Sequence, residues 1–213
     1  MNLFINLLFT NPEEFFAKVL MIVFSICCHE YSHAWTALRQ GDPTAAEQGH
    51  LTLSPFKQMG VTSLIMLAFI GLAWGQVPVN PQRMKHRYSE ALVAFAGPAM
   101  NLILFFGFCL LASIIHLVGV QKDAVNLIIY GGGINMVLFI VNMLPIPTLD
   151  GWTVFRNLFP KIKFEQSEFM KGAMVLVFIM VILFFNYLYA AGMFAASIVA
   201  SILASLLNAT GMF

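Results

Sequence analysis

The residues best suited to chemistry form one pentapeptide, His29-Glu30-Tyr31-Ser32-His33, inside a strongly apolar stretch. On a helix, residues four positions apart lie on one face, roughly 5 to 6 Å from each other. The imidazoles of His29 and His33 can therefore bind the same metal ion. Glu30 lies about 60° from His33 around the helix, close enough to act on a water beside the metal without being a ligand. That is the position of a general base.

A catalytic zinc ion usually has three protein ligands and leaves the fourth position to water. Besides Glu30, Asp150 is the only acidic residue that we expect at membrane depth. It follows Pro145 and Pro147, which remove backbone donors and break the preceding helix. The sequence therefore predicts one zinc ion per chain, held by His29, His33 and Asp150.

The same pentapeptide pattern also arises by chance in soluble helices, where its histidines face solvent or satisfy hydrogen bonds in a core. Inside an apolar span, each ionisable group costs roughly 2.5 to 3.5 kcal/mol on insertion scales. An unused His-Glu-His set would be expensive there, so we favour a metal site over a structural polar cluster or a proton relay. Three further histidines are expected in loops or at a span end and are assigned no chemistry: His50, His86 and His116.

The composition is that of a membrane protein. Of 213 residues, 60% are hydrophobic and only 10% are charged, whereas a soluble domain has about 25% charged residues. The net charge of +1 gives no concentrated basic surface for nucleic acid. The three cysteines form no CxxC pattern, which argues against a thiolate zinc site and a disulfide framework. We expect an all-α polytopic membrane protein embedded in the lipid bilayer.

Several apolar segments must position the chemical residues, and together they predict a single intramembrane domain over residues 1–213. A helix needs roughly 20 apolar residues to cross a bilayer. Five stretches are long enough: residues 15–38, 91–118, 124–145, 172–190 and 193–211. Residues 61–75 are too few to span and predict a re-entrant or interfacial segment. Residues 146–171 form the loop that carries Asp150.

Two connecting features complete the predicted architecture. The alternating run His50–Ser54 predicts a short β-like loop. The distribution of lysine and arginine hardly distinguishes a spanning from a re-entrant segment 61–75. A spanning segment, however, would place His33 and Asp150 at opposite faces of the membrane, too far apart to share one metal. We therefore predict re-entrance, with the active site towards the cytoplasmic side of the plasma membrane.

Paired motifs in this sequence resemble the site-2 protease family of intramembrane zinc metalloproteases: His29-Glu30-Tyr31-Ser32-His33-Ala34 and Asn142-x-x-Pro145-x-Pro147-x-Leu149-Asp150-Gly151. Two further segments are similar to the compact branch of that family: Gly41-Asp42-Pro43-Thr44 and Ala96-Gly97-Pro98-x-x-Asn101. The chain has no room for the PDZ or CBS domain of larger members. The resemblance covers most of the sequence.

The resemblance implies that His29, His33 and Asp150 bind zinc and that Glu30 activates water. It also implies that Asn142 positions substrate or stabilises the oxyanion, and that the substrates are transmembrane proteins. A metal-ion or proton transporter would also place such residues at membrane depth, but the sequence has no internal repeat. A catalytically inactive membrane chaperone would be expected to lack Glu30 or a ligand, and all of these residues are present.

Overall fold

The computed structural model describes residues 4–160, 172, 175–177, 179–180 and 183–210. Over these ranges the chain forms helices joined by turns and extended segments, without a strand. In chain order the helices are α1 (Asn6–Thr10), α2 (Pro12–Arg39), α3 (Thr44–Glu47), α4 (Pro55–Gln58), α5 (Gly60–Ile70), a 3₁₀ turn (Pro81–Arg83), α6 (Ser89–Leu117), α7 (Lys122–Asn142), α8 (Asp150–Leu158) and α9 (Phe185–Ala209).

Within the described residues, four helices are long and apolar enough to cross a membrane: α2, α6, α7 and α9. This confirms an all-α polytopic membrane protein. The predicted spans 15–38, 91–118 and 124–145 correspond to α2, α6 and α7, with ends that differ by a few residues. The predicted break between spans 172–190 and 193–211 is absent, since α9 is continuous from Phe185. Five residues of the predicted span 172–190 lie outside the described residues: 173, 174, 178, 181 and 182.

Helix α2, which carries the two histidines, starts where its sequence indicates. The Asn11 side chain accepts a hydrogen bond from the backbone N–H of Glu14 at 3.2 Å, and Pro12 occupies the first helical position. Such a cap satisfies a backbone donor that has no partner within the helix. The 28 residues of α2 extend for about 42 Å at 1.5 Å per residue. The histidine pair lies in the second half of this length.

Helix α6 packs against α2, α7 and α9 and forms the centre of the molecule. Small residues set the distance between α7 and α9: a Cβ atom added to Gly192 would lie 2.8 Å from the carbonyl oxygen of Gly133. Glycine at these positions lets two apolar helices approach closely, as is common in membranes. Gly192 lies within α9 without interrupting it.

The chain reverses direction after the short apolar helix α5. Its 11 residues extend for about 16 Å, little more than half the thickness of the hydrocarbon core, which is about 30 Å. Gly71, at φ +79°, ends the helix in the left-handed conformation that favours glycine. The extended residues 72–80, here called the strap, then return beside α5. The backbone N–H of Gln76 donates to the carbonyl of Gln58, just before α5, at 2.9 Å.

The strap is held at two further points. Ser63 Oγ accepts from the backbone N–H of Trp74 at 2.9 Å and donates to the carbonyl of Trp74 at 2.7 Å. At the far end, buried Asp42 accepts hydrogen bonds from the backbone N–H of Asn80 and from Thr44. Burial acts to raise the pKa of Asp42, but these hydrogen bonds outweigh it and hold the pKa below its usual range. A carboxylate thus fixes the end of the strap.

The β-like loop predicted at His50–Ser54 is wrong, because this run bends and pairs with no strand among the described residues. The cause is Gln58, whose side chain is 1% exposed. Its Nε2 atom donates to the carbonyl of His50 at 2.9 Å and to that of Thr52 at 2.6 Å. These carbonyls are therefore not available to a partner strand.

Candidate metal centre

Two helices and a turn bring the predicted metal ligands together. His29 and His33 occupy one face of α2, and their Nε2 atoms lie 2.9 Å apart. Asp150 is the first residue of α8. Its Oδ2 atom lies 3.1 Å from His29 Nε2, and its Oδ1 atom lies 3.3 Å from His33 Nε2. One nitrogen or oxygen from each of the three side chains can thus contact a common point.

The hydrogen bonds of the two imidazoles identify the nitrogens that face this point. His29 Nδ1 lies 2.6 Å from Asn101 Oδ1, and His33 Nδ1 lies 2.7 Å from the carbonyl oxygen of Val93. Both partners are acceptors, so each Nδ1 carries the proton. In the neutral form of each imidazole, this leaves the Nε2 atom with a lone pair that faces the other histidine.

This arrangement fits a cation. With neutral imidazoles, three groups that each offer a lone pair converge, and they would repel each other if nothing positive lay between them. Asp150 Oδ2 is buried without a hydrogen-bond partner, although it lies 3.1 Å from His29 Nε2. Two imidazoles and one carboxylate at a buried site are a ligand set typical of catalytic zinc. His29 and His33 are 7% and 8% exposed, so little water competes for them.

The loop after α7 brings Asp150 to the histidines. Gly151 allows this approach, because a Cβ atom there would collide with the backbone of Met143. Helix α8 is fastened to α6 by Glu90, which pairs with Arg156 and accepts from Asn157 Nδ2 at 3.2 Å. Asp150 also lies in the first turn of α8, where the helix dipole stabilises a negative charge. The position of this carboxylate thus depends on the packing of α8 against α6.

Gly97 lets α6 cross directly over the histidine pair. A Cβ atom at this position would lie closer than 3.0 Å to the Nε2 atoms of both His29 and His33. Any side chain would therefore compete for the space beside the two metal-binding nitrogens. The sequence motif around Pro98 contained this glycine, but only the packing of α6 on α2 reveals its role.

A cavity of about 620 Å³ opens beside the ligands, and all five predicted site residues line it: His29, Glu30, His33, Asn142 and Asp150. Glu30 is 8% exposed, and the strap passes close enough that a Cβ atom at Gly75 would collide with its carboxylate. Asn142 ends α7, and its Nδ2 atom donates to the carbonyl of Leu138 at 3.0 Å.

Sequence reasoning did not assign a site role to three of the surrounding features: Asn101, the carbonyl of Val93 and the strap. A buried asparagine four residues after Gly97 was a usable signal for the first, since polar groups in apolar spans usually have a partner. A backbone carbonyl gives no sequence signal.

Comparison with known proteins agrees with this geometry. The chain matches the model of "Peptidase family M50" over residues 17–120 and 111–186. It is 36% identical over 166 residues to "Putative zinc metalloprotease YwhC" of Bacillus subtilis, covering 70% of this chain and 74% of that protein. It is 33% identical over 172 residues to "Putative zinc metalloprotease Rip2" of Mycobacterium tuberculosis H37Rv, covering 74% of this chain and 62% of that protein.

The Rip2 protein of Mycolicibacterium smegmatis is 36% identical over 137 residues, which are 60% of this chain and 51% of that relative. No solved structure matches the chain. The matched residues include both predicted motifs, and the ligand geometry suits the zinc that the relatives' names state. The chain therefore belongs to peptidase family M50, the site-2 protease family of zinc metalloproteases.

Proposed function

We propose that this chain hydrolyses peptide bonds within or near the transmembrane segments of membrane proteins, with zinc held by His29, His33 and Asp150. The observation that carries the proposal is that three side chains able to bind a metal converge at a cavity between helices long enough to span a membrane. Glu30 lies beside them on the cavity wall. Membership of the M50 family supports a metalloprotease.

In this proposal each residue has a defined task. His29, His33 and Asp150 would hold the zinc, which when bound would act as a Lewis acid and lower the pKa of water to about 7. Glu30 accepts the proton of the attacking water and passes it to the leaving amine. Asn101 and the carbonyl of Val93 keep the histidines oriented.

A transmembrane substrate cannot be cleaved while it is helical, because its carbonyls are engaged in hydrogen bonds from residue i to i+4. It must unwind and find other partners for its backbone. We expect the strap to provide them by β-augmentation, in which an extended peptide pairs with an exposed backbone edge. The run His50–Ser54, which the sequence predicted to be a β-like loop, is not suited to this role, because Gln58 occupies its carbonyls at His50 and Thr52.

The hydrogen bonds of the strap alternate in a way that suits this role. In an extended chain, alternate residues direct their backbone groups to opposite edges. The backbones of Trp74 and Gln76 bond to Ser63 and Gln58. Among the described residues, no group forms a hydrogen bond with the backbone of Gly75, Val77 or Val79. All three residues line the cavity. The free edge therefore passes beside Glu30.

Val77→Pro tests whether substrate pairs with the free backbone edge of the strap, because proline removes only the N–H of residue 77. The preceding residue, Gln76, lies outside any helix, so a proline after it does not break a helix. We expect cleavage to fall about tenfold, the effect of losing one hydrogen bond together with some steric interference. Zinc content and thermal stability should stay near those of the wild type. Val77→Ala keeps the N–H and should cleave normally; an equal loss in both variants would contradict backbone pairing.

Asn142 is proposed to donate to the oxyanion. One of its two amide hydrogens is directed to the carbonyl of Leu138, and the residue lines the cavity. Asn142→Ala should lower turnover by about 10² to 10³, as removal of one oxyanion donor typically does, while zinc content and folding stay near normal. Asn126, on an exposed face of the same helix, gives the control Asn126→Ala. Unchanged turnover of Asn142→Ala would exclude the role.

A re-entrant α5 places the residues before and after it on one side of the membrane. Arg83 pairs with Glu47 at 2.8 Å, so the neighbouring exposed residues Gln48 and Gln82 lie close together. Cysteines introduced at these two positions should resist an impermeant thiol reagent added outside intact cells and react after permeabilisation. Outside labelling of either cysteine would refute a cytoplasmic active site, and labelling of Gln48→Cys alone would indicate a spanning segment.

A further inference from the structure

The hydrogen bond that fixes the tautomer of His29 is the first of a buried series that crosses three helices. His29 on α2 donates to Asn101 on α6, and Asn101 Nδ2 donates to Asn135 Oδ1 on α7 at 3.0 Å. Asn135 Nδ2 then donates to Ser25 Oγ, back on α2, at 2.8 Å and to the carbonyl of Gly131 at 2.9 Å.

At the end of this series, only one assignment of hydrogen-bond donors and acceptors is possible. Ser25 Oγ donates to the carbonyl of Met21 at 2.7 Å, and a carbonyl can only accept. The hydroxyl proton of Ser25 is thereby used, so Ser25 Oγ accepts from Asn135. The carbonyl of Gly131 also requires a donor from Asn135. The amide nitrogen of Asn135 must therefore face these two groups, and its oxygen must face Asn101.

The orientation of Asn135 in turn determines the orientation of Asn101 and the tautomer of His29. Because Asn135 presents an oxygen, Asn101 must turn its NH₂ group towards α7 and its oxygen towards His29. A reversed Asn101 would present donors to His29 Nδ1. The imidazole would then adopt the other tautomer, with a proton on Nε2 and no lone pair for the metal.

Water cannot replace a missing member of the series, because Ser25, Asn101 and Asn135 are all 0% exposed. A buried polar group without a partner is costly. The correct orientation is therefore the only one that satisfies every donor and acceptor of the three side chains.

We propose that Asn135 and Ser25 are positioning residues for the metal centre: they orient Asn101, which in turn holds His29 in the tautomer whose Nε2 binds metal. Neither residue lines the cavity. The inference rests on the proposed zinc centre. It gives Asn135 and Ser25 a functional role in addition to linking helices.

The test measures zinc affinity of the purified full chain by competition with a chelator. Asn135→Leu removes the oxygen that orients Asn101, and affinity should fall about 10- to 100-fold, as is typical when the outer partner of a ligating histidine is lost. The control Ser113→Ala removes another buried hydroxyl, which joins α6 to α9 through the carbonyl of Ala200 at 2.7 Å. It should leave zinc affinity unchanged even if it lowers stability.

Asn101→Asp supplies the rescue. A carboxylate accepts from His29 Nδ1 whichever way it turns, so the double variant Asn101→Asp with Asn135→Leu should recover most of the lost affinity. A purely structural Asn135 predicts no such recovery. If Asn135→Leu does not fold, Ser25→Ala makes a smaller change, for which we expect a loss of about threefold and the same rescue.

A ¹⁵N spectrum of the metal-free protein reports the tautomer directly and needs no activity. The His29 signal should show protonated Nδ1 in the wild type and mixed tautomers in Asn135→Leu. Wild-type zinc affinity in Asn135→Leu, or failure of the rescue, would overturn the inference while leaving the centre intact. Undiminished zinc binding by His29→Ala would instead overturn the centre itself.

Discussion

Glu30→Gln should retain zinc and lose cleavage, with turnover reduced by about 10² to 10⁴, the usual contribution of general acid–base catalysis. Glutamine has nearly the same shape as glutamate but cannot accept the proton of the attacking water. The side chain is not among the three groups that converge on the metal position, so the metal should stay. Zinc content by atomic absorption and cleavage of a tagged single-pass protein, measured on the same preparation, test both halves of the prediction.

The matched control is Glu13→Gln, an exposed position in the first turn of the same helix, which should cleave normally. Wild-type cleavage by Glu30→Gln would disprove the assignment of the base. Loss of zinc together with cleavage would show that Glu30 helps to hold the metal.

Gly97→Ala should abolish zinc binding, although it adds only one methyl group. The new Cβ atom would lie against the Nε2 atoms of both histidines. Relief would require the imidazoles to turn, and that would break the Nδ1 hydrogen bonds to Asn101 and to the carbonyl of Val93. We expect affinity to fall by more than about 100-fold, beyond the effect of losing an outer partner of a ligand, and cleavage to disappear with it.

Gly107 provides the control on the same helix, because a Cβ atom there meets nothing within 4 Å. Gly107→Ala should bind zinc normally and gain about 0.4 to 1 kcal/mol of stability, as alanine does at a helical position without strain. If Gly97→Ala bound zinc as tightly as Gly107→Ala, the close passage of α6 over the histidines would be contradicted.

Local sequence determined the part of the site that lies on one helix. Four residues make slightly more than one helical turn, so the spacing of His29 and His33 alone places their imidazoles side by side, with Glu30 nearby. The apolar stretches likewise predicted α2, α6 and α7, because a bilayer requires a minimum length of apolar helix. Asp150 could be predicted because few acidic residues are compatible with membrane depth.

Only the tertiary structure decided the contacts between distant segments. The partner of His29 is 72 residues away and that of His33 is 60 residues away, and both depend on how α6 packs against α2. The extended segment beside Glu30 is the strap. The run His50–Ser54 is not β-like, because the buried side chain of Gln58 occupies two of its carbonyls. Helical and strand periodicity describe how a segment presents its own side chains. They carry no information on which distant donor meets which acceptor, and that pairing sets the tautomers of the metal ligands.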